Sequence, residues 1–183
     1  SIDGTPLSAR FTLKTGQGEI INSKIWPNPF SLKSSYIEGN TNFENNEVSI
    51  EKFKIDLGTS VLSGNAETNI IDGSSSSLIN ANLTNFDKES VLRFWPVGHL
   101  NDIRNWISEK VVEGRIPIAT ISFQAIWNSK TEHLEFSELE AEGRIEQASI
   151  RFGASNQIIS QIHGNLKIGS DRILFGLERG AIK

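Results

Sequence analysis

A chain of 183 residues, 37% of them hydrophobic, can bury a real core, as one domain or as two small ones sharing a sheet, and is not disordered by composition. A formal net charge of −4 and an isoelectric point near 5.4 argue against nucleic acid as the main partner, and no apolar run approaches membrane-spanning length. The absence of cysteine excludes disulfide and thiolate chemistry and fits any compartment; with no methionine, the chain is expected to begin inside a longer protein, any signal peptide or membrane anchor lying outside it.

Ala9, Phe11 and Leu13 alternate, a turn signal follows at Thr15-Gly16-Gln17-Gly18, and apolar character returns over residues 20–25, which predicts a hairpin. The Gly16-x-Gly18 pair lacks the third glycine and the following helix of a dinucleotide site, so it reads as a turn. Trp26-Pro27-Asn28-Pro29 breaks the pattern, because proline removes ladder donors. Strands are predicted over residues 30–37, at Asn42-Phe43 and most clearly over 48–57, with further ones at Val61-Leu62 and 68–71 on either side of Gly64. Gly73 with residues 74–77, all serine, reads as a polar loop, and 78–83 leads into the next segment.

Residues 87–114 form the one stretch predicted as helix. Leu100, Ile103, Ile107 and Val111 recur on one helical face, Trp106 widens that stripe, and Asn101, Asn105, Ser108 and Glu109 fall opposite. Asp102 and Lys110 match the helix dipole at its two ends, and Gly114 is placed to leave the helix in a left-handed conformation. Upstream, Asp87 can cap a shorter run carrying Val91, Leu92 and Trp95, which Pro96 and Gly98 must end or kink. Burying four aliphatic side chains is worth about 6–12 kcal/mol gross, and a helix among strands realises that against a sheet face.

Beyond the helix an internal repeat appears. Glu113-Gly114-Arg115-Ile116 with Ala119, Ile121 and Phe123 recurs as Glu142-Gly143-Arg144-Ile145 with Ala148, Ile150 and Phe152, which suggests an array of stacked units. A second pattern is apolar-x-apolar-x-x-apolar-x-apolar-x-apolar. It runs through Val48, Ile50, Phe53, Ile55 and Leu57, and again through Leu134, Phe136, Leu139, Ala141 and Gly143. Ile159, Ile162, Gly164, Leu166 and Ile168 give a shorter version. The x-x step is either a β-bulge that restores the apolar side and bends the strand, or a turn between two very short strands. Residues 162–168, a turn at Gly169-Ser170-Asp171, and Ile173, Phe175 and Leu177 predict a terminal hairpin.

The run Phe94-Trp95-Pro96, Leu100, Ile103-Arg104, Trp106-Ile107, Val111, Gly114-Arg115-Ile116 and Ala119 resembles the AsmA-like superfamily of bacterial envelope proteins, in its YhdP-type module. There an aromatic-proline pair precedes a short helix carrying Arg-x-Trp and then a Gly-x-[Ile/Val] step into a strand. The motif covers about 30 residues, the strand repeats extend a looser likeness over most of the chain, and family members often have a second proline where Val97 stands here. The resemblance implies a long curved sheet folded into a trough with an apolar interior. It also implies anchorage in the inner membrane through a segment outside this chain, extension across the periplasm, and passage of phospholipid toward the outer membrane.

Taken together, these signals predict a mainly β fold: a curved, trough-like antiparallel repeat sheet with bulged strands and one amphipathic helical segment on its apolar face. The expected parts are an N-terminal β-strand region (1–86), a helical insertion (87–114) and a C-terminal β-repeat region (115–183) of one continuous module. The expected function is that of a lipid conduit segment without catalytic residues, metal or cofactor. Its partners would be phospholipid acyl chains and neighbouring β-repeats of the same parent chain. The alternative is a structural or interaction spacer that binds no lipid; a carbohydrate-active enzyme has no site to support it.

Candidate groove-lining residues are Phe53, Ile55, Leu57, Ile121, Phe123, Leu139, Ile162 and Leu166; the same residues could equally form a core beneath the helix. The helix-packing face is expected at Leu100, Ile103, Trp106, Ile107 and Val111. His99, His133 and His163 have no metal-ligand spacing and read as surface or strand residues. Glu135, Glu138, Glu140 and Glu142 read as a solvated face, and Trp26, Trp95, Trp106 and Trp127 as core filling rather than ligand stacking. Asn82-Leu83-Thr84 matches a glycosylation sequon that a bacterial reading makes incidental.

Overall fold

Period-two alternation dominates this chain, and the computed structural model turns it into strands; it describes residues 7–23, 25–26, 28–96, 98, 100–153, 157–169 and 172–182. In chain order the elements are β1 (Ser8–Thr15), β2 (Gly18–Ile20), β3 (Phe30–Leu32), β4 (Ser34–Asn42), β5 (Glu47–Asp56), β6 (Val61–Ile71) and β7 (Ser74–Asp87). Then come α1 (Lys88–Phe94), α2 (Asn101–Lys110), β8 (Val111–Asn128), β9 (His133–Phe152), β10 (Gln157–Ile168) and β11 (Ile173–Ile182). Nine strands form one antiparallel sheet in the order β1-β4-β5-β6-β7-β8-β9-β10-β11, while β2 and β3 make a separate small hairpin. The fold is mainly β as predicted, with the sheet open: it is neither closed nor strongly curled, so the deep trough is not formed by this chain.

Four local expectations are corrected. The N-terminal hairpin does not form, because β1 pairs with β4 through Phe11↔Gly39 and Leu13↔Ile37, while Ile20 pairs with Phe30. Residues 61–71 are one strand through Gly64 rather than two. The serines at 74–77 are the start of β7, held in ladders by β6 on one side and β8 on the other, so pairing overrides their weak strand preference. The loop shrinks to Asp72-Gly73, whose φ values of 50° and 80° make the primed two-residue turn that matches strand twist. Gly114 is no helix terminus: Val111 is already strand, and at Gly114 a Cβ would stand 2.9 Å from that of Ala148.

All three x-x steps are bulges. The pairing slips between Ile50 and Phe53, between Ser122 and Gln124 opposite Glu138, and between Ile159 and Ile162. Glu138 and Gln161 carry the extra residue at positive φ, 52° and 54°. The internal repeat has a different outcome from a stacked array, since its two copies lie side by side on β8 and β9 and run in opposite directions. A Cβ at Gly143 would lie 2.6 Å from that of Ala119, and Gly114 lies against Ala148, so each copy's glycine receives the other copy's alanine. The C-terminal hairpin is present, with Ile168 opposite Ile173 and the Gly169 amide donating to Arg172 O; residues 170–171 of its turn lie outside the described residues.

Candidate functional site

Alternation across an in-register sheet sorts side chains into rows. One row crosses all nine strands, each residue directly opposite the next: Leu13, Ile37, Phe53, Gly64, Ala81, Ile121, Ala141, Ile168 and Ile173. It contains no polar side chain. The same face carries Phe11, Gly39, Ile50, Ala66, Ile79 and Phe123 in one flanking row. Ile55, Leu62, Leu83, Ala119, Gly143, Leu166 and Phe175 form the other. One residue out of phase, on the opposite face, the row reads Lys14, Tyr36, Lys54, Ser63, Asn82, Thr120, Glu142, Lys167 and Leu174. The sheet therefore has one oily and one wet side, which the bulges preserve by resetting the alternation.

The helices cover one end of the oily side. The helical segment is two helices, with the break at Pro96 and Gly98 where it was expected, and Asp87 caps α1 by accepting from the Ser90 amide at 2.7 Å. Phe94 packs edge-on against Phe30 and Phe86, and Trp26 Nε1 donates to its carbonyl, so the β2–β3 hairpin closes over α1. Under α2, Trp106, Ile107 and Val111 face Ile116, Ile145, Ala148, Leu166 and Phe175 across an apolar slot of about 70 Å³. The end of α2 is held by cations: Lys88 Nζ donates to the carbonyls of Ser108 and Val111, and Arg151 to that of Glu109.

Of the predicted helix face, Trp106, Ile107 and Val111 reach this slot. Val111 does so from the start of β8, Ile103 is half-buried, and Leu100 precedes α2 at φ 48°. Of the predicted lining, Ile121, Phe123 and Leu139 are half-buried on the oily face, and Ile55 lies on the same side. Phe53, 8% exposed, and Ile162, 2% exposed, are core, the latter packed with Ile145 and Ala148. Leu166 lines the slot beneath α2, while Leu57 lies past the end of β5 in a turn closed by its amide to Ser60 O. Phe136, which packs on Phe123 at 5.6 Å between ring centroids, belongs to the wall although it is not among the candidate lining residues; its place in the apolar pattern with Leu139 is the signal that finds it. Trp26 and Trp106 fill aromatic contacts, as their packing reading expects.

Polar chemistry lies on the other side. A broad open depression of about 800 Å³ there is lined by Asn65, Asn80, Asn82, Thr120, Glu142 and Lys167, among others, and the last two pair at 3.0 Å. Arg10 bridges Glu51 at 2.9 Å, and hydrogen bonding from that guanidinium holds the Glu51 carboxyl below its ordinary range. His133 lies 3.5 Å from Glu135 and His163 lies 3.1 Å from Arg179; among the described residues no group of three or more acidic or histidine side chains is arranged to hold a metal.

Hydrogen bonds from Ser90, its side chain first and its amide second, hold the Asp87 carboxyl below the ordinary aspartate value. A depressed folded pKa stabilises the native state above the unfolded pKa, near 3.8, and that stabilisation is lost as pH falls through the folded value. Asp87→Ala is expected to cost about 1 kcal/mol in denaturant unfolding at neutral pH. Asp87→Asn should keep most of the cap while flattening the acid limb of the stability profile; an unchanged limb would place the titration elsewhere.

The architecture defines an open, two-faced antiparallel sheet with a helical cover at one end. Comparison with protein-family models, curated proteins and solved structures finds no match to this chain.

Proposed function

We propose that this chain is a segment of a lipid conduit of the cell envelope, shielding phospholipid acyl chains on its apolar sheet face as they pass between the inner and outer membranes. The observation that carries the reading is the unbroken apolar row across all nine strands, flanked by two more and backed by a polar face. Exposing an acyl chain to water costs about 0.8 kcal/mol per methylene, so a chain of roughly 16 carbons faces about 13 kcal/mol without cover. A nonpolar strip that runs from strand to strand lowers that cost wherever the helices leave it open, Ile168 and Ile173 lying in the slot under α2, and it needs no catalytic group. The sheet is open, so cover would be completed by neighbouring β-repeats of the same parent chain. No helix among the described residues is long and apolar enough to cross a membrane. The inner-membrane anchor and the periplasmic setting belong to the likeness to AsmA-like proteins.

The purified chain is expected to retain phospholipid in an organic extract and to take up a fluorescent phospholipid. Phe123→Asp and Phe136→Asp should each cut uptake at least about tenfold, since each puts a charge against hydrocarbon. Ile118→Asp, at a site 57% exposed on the opposite face, should leave uptake unchanged. Melting curves show whether each variant is folded. Equal uptake by folded wall variants and the parent chain would remove the conduit.

The second reading, a β-repeat spacer without lipid, is favoured by the open edges at β1 and β11. Mass spectrometry of the organic extract separates the two, because a spacer carries no lipid.

A further inference from the structure

The slot beneath α2 is walled by carbon. Trp106 lines it from the helix, Ile168, Ile173 and Phe175 line it from β10 and β11, and the close-packed Gly114–Ala148 pair keeps the sheet low under the helix. The charged residues at its margin, Lys88 and Arg115, turn their charged ends elsewhere. Lys88 Nζ goes to the carbonyls of Ser108 and Val111, and the Arg115 guanidinium goes to Asn85 Oδ1. A polar headgroup would find no partner inside. Size narrows the occupant further. At about 70 Å³ the slot is well below the roughly 150 Å³ that accommodates a benzene ring, so a sterol or quinone ring is too broad. The last two or three carbons, roughly, of an unbranched chain fit. The slot is also continuous with the uncovered oily face, because Ile168 and Ile173 both line it and end the nonpolar row.

We propose that this slot seats the terminal methyl end of a phospholipid acyl chain lying on the oily face, with the ester end directed away from the helices. The proposal rests on the acyl-chain reading of that face and adds an orientation to it. Lys88 and Arg151 clamp the end of α2 to the sheet, so the helix is a fixed roof. A chain reaching that roof arrives methyl end first, since an ester would lose its water with nothing to bond. Toward the opposite end of the strands the same face changes character. Thr68 and Ser77 there hydrogen-bond at 2.9 Å, and Ser75 and Trp127 lie opposite each other in the next row. Hydroxyls can donate to an ester oxygen, and tryptophan favours a border between carbon and water.

Trp106 supplies the readout. The purified chain is loaded with phosphatidylcholine brominated either near the methyl end or near the ester of one acyl chain, and tryptophan emission is recorded. Bromines near the methyl end should remove most of the Trp106 emission and those near the ester little of it. Trp106→Phe should abolish that difference, and Trp127→Phe should leave it in place. Val91→Phe, which puts a ring into the slot from α1, should retain the parent melting curve and weaken lipid retention about tenfold, the worth of about two methylenes. Equal quenching of Trp106 by the two lipids, with lipid retained, would overturn the slot assignment and leave the conduit standing. Unchanged retention and quenching in a folded Val91→Phe chain would reduce the slot to a packing gap. A chain that retains no lipid at all removes both readings.

Discussion

Gly64→Ala is expected to destabilise the chain by about 3 kcal/mol or more. A Cβ at this position would lie 2.0 Å from the Asn80 carbonyl oxygen, 2.8 Å from Ala81 Cα and 3.0 Å from the Asn80 carbonyl carbon. These are backbone atoms of the adjacent strand, so relief demands that β6 and β7 move apart, and they are paired along eleven residues. Gly18→Ala is the control: nothing lies within 4 Å of its Cβ, and its unfolding midpoint should stay close to that of the parent. A near-parental midpoint for Gly64→Ala in urea or guanidinium unfolding would mean that the close approach of β6 and β7 is not as described.

The second large effect concerns the duplicated motif. Gly143→Ala sets two methyl carbons 2.6 Å apart and should cost about 2–3 kcal/mol. Ala119→Gly removes the obstructing methyl, so the double variant Ala119→Gly, Gly143→Ala should recover much of the loss. Contacting residues are where additivity fails, and this pair should show an interaction energy of at least about 1 kcal/mol in a double-mutant cycle. Strict additivity would show that the alanine of one copy does not occupy the space left by the glycine of the other.

Much of this fold was legible from short-range pattern alone. Strict alternation at Phe53-Lys54-Ile55-Asp56 marked β5, and the x-x interruptions marked three irregular positions, with bulge or turn left open until the pairing showed bulges. The cap at Asp87 and the break at Pro96 were readable for the same local reason. What failed was non-local. Nothing between Thr15 and Gly18 states that β1 will pass over the nearest strand and pair with β4, and four serines look like a loop until ladders on both sides hold them. The candidate wall was half legible. Periodicity placed Ile121, Phe123 and Leu139 on the oily face, but could not say that Phe53 and Ile162 would be covered or that Leu57 would fall beyond its strand. Periodicity reports which side a residue faces; cover depends on where helices and hairpins land.

Along the sheet, connections between neighbours are short everywhere except around the β2–β3 hairpin and the two helices. A sheet built almost wholly from sequential neighbours behaves as a nearly one-dimensional chain of couplings, each strand answering to the two beside it. Cooperativity then decays with distance from the long β8–β9 pair, which the α2 cover braces, and the molecule frays from its rims inward instead of melting as a block. Such a body bends or opens locally at its margins while its centre holds, and lengthening it by further strands adds span without disturbing what is already folded.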